Sequence, residues 1–231
     1  MGNLYRMTTN ADAIAAVRAA PDLFRDHGTG PYGGIGKAPH IPAMSLHQLD
    51  LFAPAPAVPG LKLAAEFVDA AEAARLVERI DAAGLAPFKF QGWEGKRLTH
   101  SYGFAYDFDR GRLLDAPPLP DWLLPLRERA AAFAGVRPDD FVQALLIRYD
   151  PGAGIGWHRD RPQFGKVFGL SLGAPVPLRL RRRSAGGFDR RTVILEPRSA
   201  YGLEGEVRGE WEHSIAPVAQ ARRSITFRTL A

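Results

Sequence analysis

The feature that most constrains the fold is a series of short β-type segments that fills the C-terminal part of the chain. From position 141 onward, apolar and β-branched runs recur about every ten residues, separated by glycine, proline and aspartate. Strands this short at this spacing are typical of an antiparallel sandwich or barrel. We therefore expect strands at six positions: Gln143–Tyr149, Val167–Leu172, Pro177–Leu180, Arg191–Leu195, Ala200–Leu203 and Ser224–Thr229.

Two helices are predicted ahead of this β-rich region. Asp69–Ala83 has apolar residues at helical spacing and is followed by Gly84, a frequent helix-ending residue. Asp121–Ala134 is entered through two prolines and is the second predicted helix. Three more strands are expected at Leu61–Phe67, Phe88–Phe90 and Tyr102–Tyr106. This order predicts an α+β, mainly β fold in which the helices pack on one sheet.

Residues 1–60 have a composition that does not fit a packed core. Ala11–Ala20 has the composition of a short helix, but glycines and prolines are frequent in the rest of the segment. Such a composition is typical of a flexible arm. We expect this arm to precede a folded domain over 61–231, with the helices in 61–140 and the β core in 141–231.

The composition excludes several classes of protein. The chain has no cysteine, so disulfides, thiolate nucleophiles and iron–sulfur clusters are ruled out, and any metal must be bound by His, Asp or Glu. It has no apolar run of about 18 residues that would form a transmembrane helix, so no membrane partner is expected. The first six residues lack the apolar core of a secretory signal, which favours a cytoplasmic location.

Positive charge is concentrated in the C-terminal part of the chain. Residues 1–147 carry 15 Lys and Arg against 17 Asp and Glu, whereas residues 148–231 carry 15 against 8, a net charge of +7. Such a density of arginine is typical of a surface that faces phosphates. A solvated face in an arginine-rich protein is an equally good interpretation of the charge alone.

The stretch His158-Arg159-Asp160 has the spacing of a metal site. Positions i and i+2 of an extended chain point to the same side, so one metal ion can bind both side chains. His213 is the best candidate for a third ligand from a distant strand. Two imidazoles and one carboxylate suit Fe(II) and leave three positions open, two for a co-substrate and one for O₂. A surface turn and a core histidine are the alternative interpretation.

Two arginines further along fit the co-substrate of such an oxygenase. 2-Oxoglutarate has a carboxylate far from its metal-binding end, and a planar guanidinium binds a carboxylate through two hydrogen bonds. Arg222 lies at the start of an apolar strand. Arg228 lies six residues later on the same face, because even spacing preserves the face of a strand.

Together these motifs resemble the AlkB family. The resemblance covers about Leu61 to Leu230 and rests on four motifs in order: Arg148-Tyr149-x-Pro-Gly, His158-x-Asp160, His213-x-Ile215 and the run Arg-x-Ser-Ile-Thr-Phe-Arg at 222–228. It implies a double-stranded β-helix (jelly-roll) fold and a dioxygenase that uses Fe(II), 2-oxoglutarate and O₂. It also implies roles for six residues: His158, Asp160 and His213 as iron ligands, Tyr149 and Arg222 as 2-oxoglutarate binders, and Arg228 as the arginine that supports the aspartate.

The same resemblance implies a substrate. Many members of the family repair N-alkylated nucleobases, and residues 90–106 resemble their nucleotide-recognition lid. The expected partner is alkylated DNA, single- or double-stranded, and the expected activity is DNA alkylation repair. RNA or protein as the substrate, and a non-catalytic nucleic-acid-binding relative, are the alternatives. The implied nucleic-acid contacts are Trp93, Lys96, Arg97, Tyr102, Tyr106 and Arg161.

A second motif, in the arm, indicates a protein partner. Gln48-Leu49-Asp50-Leu51-Phe52 matches the pentapeptide by which many bacterial replication and repair proteins bind the sliding clamp. A flexible peptide would bury Leu51 and Phe52 in an apolar pocket, while Gln48 bonds polar groups beside it. The alternative is a segment that folds back onto the domain.

Overall fold

A computed structural model of the protein describes residues 58–90, 93–107 and 110–231. The predicted helix at Ala11–Ala20 and the motif at Gln48–Phe52 lie outside them and stay predictions. The described strands are β1 (Leu61–Ala64), β2 (Ala86–Phe90), β3 (Trp93–Tyr102), β4 (Phe104–Asp107), β5 (Arg112–Asp115), β6 (Phe141–Tyr149), β7 (Ile155–His158), β8 (Phe164–Gly173), β9 (Val176–Ser184), β10 (Gly187–Leu195), β11 (Ala200–Leu203), β12 (Glu212–Ile215) and β13 (Arg222–Leu230). The helices are α1 (Ala70–Asp81), α2 (Leu124–Ala134) and α3 (Gly205–Gly209).

Two antiparallel sheets form the body of the domain. The larger sheet has the strand order β1-β11-β8-β13-β6-β3-β2, and the smaller has the order β10-β9-β12-β7. Strands β4 and β5 form a separate two-stranded ribbon. The two large sheets face each other as a double-stranded β-helix, which confirms the predicted fold class.

The two longer helices cover the outer face of the larger sheet. Asp69 caps α1 by accepting a hydrogen bond from the backbone N–H of Glu72 at 2.7 Å, and the helix buries Leu76 and Ile80. The α2 helix ends at Gly135, which has a left-handed conformation with φ 66°. Their apolar faces join a core with residues of β6, β8 and β13. None of the helices in the described part of the chain is long and apolar enough to cross a membrane.

A second core lies between the two sheets and leaves space for a site. Leu178 and Leu180 of β9 point inward from the smaller sheet and pack in one cluster with Val167 and Leu203 of the larger sheet. The cluster is apolar on the side of the smaller sheet. On the larger sheet, several of the facing positions are polar instead, and the residues there line a cavity.

The single strand predicted over Tyr102–Tyr106 is wrong. Gly103 has φ 75°, and a Cβ at this position would lie 2.0 Å from the carbonyl oxygen of Val142. The chain bends at this glycine, so β3 ends before it and β4 begins after it. The bend directs β4 into the separate ribbon, next to the cavity, where Tyr106 is one of the lining residues.

Candidate active site

The cavity between the sheets is lined by a row of polar side chains from β13. Its volume is about 630 Å³. Because side chains alternate along a strand, every second residue of β13 faces the cavity. These residues are Arg222, Ser224, Thr226 and Arg228. Arg222 is buried and Arg228 is largely buried. Two such arginines in the middle strand of a sheet are unusual, and they mark the cavity as a candidate site for an anionic ligand.

Two histidines lie side by side on the opposite wall. His158 ends β7 and pairs directly with His213 of β12, and their ring centroids are 4.3 Å apart. The Nδ1 of His158 lies 2.9 Å from the carbonyl oxygen of Gly156. A carbonyl oxygen only accepts, so Nδ1 carries the proton and Nε2 keeps its lone pair for a metal ion.

Asp160 completes this cluster from the loop that follows β7. Its Oδ2 lies 3.8 Å from Nε2 of His213, and its side chain is 7% exposed. Its Oδ1 accepts hydrogen bonds from Nε of Arg228 at 3.0 Å and lies 2.8 Å from Nη2 of the same arginine. Arg228 therefore holds one carboxylate oxygen and leaves the other facing the histidines.

Burial and neighbouring charges set the protonation of the cluster. Burial, helped by the nearby His158, lowers the pKa of His213 to about 3. Burial also lowers the pKa of His158. Burial by itself would raise the pKa of Asp160, but Arg228 and the two histidines outweigh it and hold that pKa below its ordinary value. At neutral pH the cluster therefore has two neutral imidazoles and one carboxylate, the forms that bind metals.

The chemistry of this donor set fits non-haem iron. Two neutral imidazoles with one carboxylate are the ligands of Fe(II) sites that keep open positions for substrates. Within the described residues, no three His, Asp or Glu side chains are already gathered as a complete metal site. His158, His213 and Asp160 nevertheless line the same cavity, and Oδ2 of Asp160 lies 3.8 Å from Nε2 of His213.

Arg222 is the most unusual residue of the cavity. It is 1% exposed, and its Nε donates to Oγ of Ser171 at 3.3 Å. Its Cζ lies 5.3 Å from the ring centroid of Tyr149, its partner on β6. Both terminal nitrogens are buried without a hydrogen-bond partner in the described part of the chain. Because a guanidinium stays charged and a buried unpaired charge is costly, this geometry fits a bound carboxylate.

The neighbouring Arg223 faces the other way. Its Nε and Nη2 bind the two carboxylate oxygens of Asp81 at 3.1 and 2.7 Å, on the helix-covered side of the sheet. It is therefore already paired and does not line the cavity. Because side chains alternate along β13, the guanidinium of Arg222 faces the cavity, whereas that of Arg223 faces Asp81 on the other side of the sheet.

Tyr201 also lines the cavity, and it was not among the site residues predicted from the sequence. It pairs with Gly169 across β11 and β8, and a Cβ on that glycine would lie 2.1 Å from Cζ of Tyr201. The ring therefore occupies the space that a side chain at 169 would fill. Burial raises the pKa of Tyr201, so its hydroxyl stays protonated and can donate. A glycine inside a predicted strand is the signal that points to such a close approach.

Gln143 is a second residue that sequence reasoning missed. Its Oε1 accepts from Nη1 of Arg228 at 3.0 Å, and its Nε2 donates to the carbonyl oxygen of Phe104 at 2.8 Å. Phe104 begins β4, so a chain of contacts runs from the ribbon through Gln143 and Arg228 to Asp160. A glutamine at a core position of an apolar strand is the signal that could have found it.

Three of the predicted nucleic-acid contacts line the cavity. They are Arg97, Tyr106 and Arg161. The Cζ of Arg161 lies 4.8 Å from the ring centroid of Tyr106, so the loop after Asp160 contacts the ribbon. The Cζ of Arg97 lies 3.8 Å from the ring centroid of Phe88. These stacked pairs combine a flat apolar surface with positive charge in the cavity lining.

The other predicted nucleic-acid contacts are placed elsewhere. Lys96 is exposed and does not line the cavity. Tyr102 packs against His100, with 4.7 Å between the ring centroids, and also lies outside the cavity lining. The side chain of Trp93 is outside the described part of the structure. A direct contact of these residues with a base in the cavity is therefore without geometric support.

Comparison with sequences of known proteins agrees with this geometry. The family model of the 2OG-Fe(II) oxygenase superfamily matches residues 60–228. The "Alkylated DNA repair protein ALKBH8 homolog" of Arabidopsis thaliana is 28% identical over 185 residues, which cover 68% of this chain and 51% of that protein. The "Uncharacterized protein L905" of Acanthamoeba polyphaga mimivirus is 28% identical over 107 residues, 41% of this chain and 49% of that protein. The chain thus spans about half the length of the curated relatives it matches.

The fold has a counterpart among solved structures. The structure of OsALKBH1 superimposes with a TM-score of 0.55 at 16% sequence identity. The match covers 74% of this chain and 97% of that chain. At this identity the likeness shows a shared fold.

Proposed function

Because the chain belongs to the 2OG-Fe(II) oxygenase superfamily and is AlkB-like, we propose that it removes alkyl groups oxidatively from nucleobases in DNA. The superfamily uses Fe(II), 2-oxoglutarate and O₂. The observation that carries the proposal is the buried guanidinium of Arg222, which lies in the same cavity as the cluster of His158, His213 and Asp160. Its two terminal nitrogens have no hydrogen-bond partner among the described residues.

The cluster would hold the iron. His158 and His213 would each bind through a neutral imidazole nitrogen, and Asp160 through the carboxylate oxygen that Arg228 leaves free. Arg228 acts as the orienting group, because it fixes the carboxylate without taking both oxygens. When bound, iron with 2-oxoglutarate supplies the activation of O₂, which converts 2-oxoglutarate to succinate and CO₂ and hydroxylates the alkyl carbon of the substrate.

The far carboxylate of 2-oxoglutarate would bind the two free nitrogens of Arg222. A bidentate, charge-assisted contact satisfies both nitrogens at once. The hydroxyls of Tyr149 and Tyr201 line the same part of the cavity and can donate to the same carboxylate. The inner position Ile147 is apolar, so these groups supply the polar contacts on this side.

The substrate base would enter the cavity from the mouth. A base in a duplex is out of reach of a site between two sheets, so it must be flipped out of the stack. Arg97 and Tyr106 of the lid-like region and Arg161 line the cavity, where a ring would stack on the base and a guanidinium would bind a phosphate. After hydroxylation, the N–CH₂OH group loses its carbon as an aldehyde, and the base nitrogen regains its proton.

DNA is the favoured nucleic acid for two reasons. The Arabidopsis relative bears the name of an alkylated DNA repair protein. The motif Gln48-Leu49-Asp50-Leu51-Phe52 would recruit the enzyme to the sliding clamp, which encircles DNA, and this also places it in the cytoplasm of a bacterial cell. RNA is the second candidate, because the same cavity and charge suit either polymer.

A substrate panel tests the proposed activity. Oligonucleotides of one sequence, each with a single N-methylated base in DNA or RNA, would be incubated with Fe(II), ascorbate and 2-oxoglutarate and weighed by mass spectrometry. We expect loss of one methylene mass from a DNA oligonucleotide and none with His213→Gln. If methylated RNA is demethylated and methylated DNA is not, the substrate is RNA. Inert nucleic acids together with an oxidised protein substrate would overturn the proposal.

The clamp proposal has its own test. Leu51→Ala with Phe52→Ala should abolish binding to a bacterial sliding clamp, since burial of each side chain contributes roughly 1.5–3 kcal/mol. Demethylation of a short oligonucleotide should be unchanged. Absence of clamp binding by the wild-type protein, or a lower melting temperature of the double variant, would contradict it.

A further inference from the structure

The outer face of the smaller sheet carries a concentration of arginines. In β9, Leu178 and Leu180 point into the core, so Arg179, Arg181 and Arg183 point to the outside. In β10, Arg190 is the direct partner of Arg181 and therefore lies on the same outer side. We call Arg179, Arg181, Arg183 and Arg190 the arginine face.

Two aromatic rings order the arginine face. The Cζ of Arg181 lies 4.4 Å from the ring centroid of Trp157 and 4.5 Å from that of Phe188. Arg183 and Arg190 also approach the ring of Phe188, at 5.1 and 5.5 Å. Stacking on a ring restricts a guanidinium while its N–H edge stays available for hydrogen bonds.

The arginine face has an excess of positive charge. Among the described residues, its acidic neighbour is Glu212, which accepts from Nε of Arg181 at 2.6 Å. Four arginines against one glutamate leave a net charge of +3. Arg183 and Arg190 are exposed and have no carboxylate within 4.0 Å in the described part of the chain. Their N–H groups can therefore bind an anion without breaking an existing ion pair.

The arginine face is continuous with the candidate active site. Trp157 belongs to the strand that borders the cavity, and its ring centroid lies 5.2 Å from Cζ of Arg179 on the outer face. It immediately precedes His158 in β7. Successive arginines of β9 on one face are about 6.6 Å apart, because a strand rises about 3.3 Å per residue. A polyanion that leaves the cavity mouth past Trp157 would therefore meet one guanidinium after another.

We propose that the arginine face binds consecutive phosphates of the nucleic-acid strand whose base occupies the cavity. This inference rests on the proposed function and extends it from the base to the flanking strand. The ligand chemistry is the phosphodiester backbone, which DNA and RNA share. Bases next to the phosphates can stack on the exposed parts of the stacked guanidiniums and rings.

Binding of single strands to charge variants tests this inference. The variant is Arg183→Gln with Arg190→Gln, and the matched control is Arg75→Gln with Arg79→Gln, two exposed arginines of α1 on the opposite side of the domain. Fluorescence anisotropy would follow a labelled single-stranded DNA and an RNA of the same sequence over a series of salt concentrations. Thermal stabilisation by Mn(II) with 2-oxoglutarate would be measured for every protein.

We expect the Arg183/Arg190 variant to lower the slope of log K against log salt by about 1.4, which corresponds to roughly 25-fold weaker binding at 0.1 M salt. The control should bind like wild type, and all proteins should be stabilised equally by 2-oxoglutarate. Wild-type slopes and affinities in the variant, or an equal loss in the control, would overturn the inference alone. Wild-type protein that responds to 2-oxoglutarate but binds neither strand would overturn the proposed function with it. The strand that binds more tightly, DNA or RNA, identifies the backbone that the arginine face recognises.

Discussion

Replacement of Arg222 by methionine should separate the stability of the domain from its affinity for 2-oxoglutarate. Methionine matches the unbranched stem of arginine but lacks the charged guanidinium. The free guanidinium is 1% exposed, with two nitrogens that have no partner in the described part of the chain. Without ligand, Arg222 therefore lowers the free energy of unfolding, whereas with ligand it makes the main contact to the carboxylate of 2-oxoglutarate.

The structure sets the size of both effects. A buried polar group without a partner costs about 1–3 kcal/mol, so Arg222→Met should raise the free energy of unfolding of the ligand-free protein by about that amount. A bidentate, charge-assisted contact contributes about 1.5–3 kcal/mol to binding. Its loss should weaken 2-oxoglutarate roughly 10- to 150-fold, at 1.36 kcal/mol for each factor of ten.

Urea unfolding of the ligand-free protein and thermal shifts with Mn(II) and a series of 2-oxoglutarate concentrations measure the two effects separately. Arg223→Met is the matched control, because it removes the adjacent guanidinium from its pair with Asp81. The control should bind 2-oxoglutarate like wild type. A variant Arg222→Met that keeps the wild-type affinity, or that loses several kcal/mol of stability without ligand, would refute the role of this residue.

Three further predictions follow from the same cavity. Asp160→Asn should abolish turnover and lower the free energy of unfolding by about 3 kcal/mol, because it leaves the largely buried Arg228 without its counter-charge. Turnover assays and urea unfolding test this. The pKa of His213 falls from 6.5 to about 3 on folding. Between these pH values the unfolded chain therefore binds one more proton than the folded chain. The free energy of unfolding should fall by up to about 1.4 kcal/mol per pH unit as the pH drops through this window. The fall should be less steep in His213→Gln, which lacks the titrating group. Gln143→Leu should speed amide hydrogen exchange in β4, because the hydrogen bond to the carbonyl oxygen of Phe104 is lost. The affinity for 2-oxoglutarate should stay within about threefold of wild type. Unchanged exchange would contradict the proposed connection between Gln143 and the ribbon.

The sequence predicted the fold class because its signal is local. The alternation and turn residues of β6, β8 and β11 lie within each segment, and the helix over Ala70–Asp81 has both its periodicity and its cap residue. Four motifs predicted an AlkB-like dioxygenase, and the match over residues 60–228 confirms that the chain belongs to the 2OG-Fe(II) oxygenase superfamily. The roles of the individual site residues stay predictions that the variants above test.

Other features depend on contacts between distant segments, which no local pattern reports. The position of Tyr201 follows from the missing side chain of Gly169 on a neighbouring strand. The bend at Gly103 follows from its close approach to the carbonyl of Val142. The pairing of Arg223 with Asp81 and the free state of Arg222 also require the register of the sheet. The motif indicated Arg222, and the sheet register supplies the physical reason, because it turns Arg222 to the cavity and Arg223 to Asp81.

The most direct test of the account is the stoichiometry of a coupled single turnover. Enzyme loaded with Fe(II) and 2-oxoglutarate would be exposed to O₂ with an N-methylated DNA oligonucleotide, and succinate, formaldehyde and repaired base would be quantified together. We expect equal amounts of the three products from the wild-type enzyme and none of them from His213→Gln. Succinate without repaired base, or repaired base that forms in the absence of 2-oxoglutarate, would contradict it.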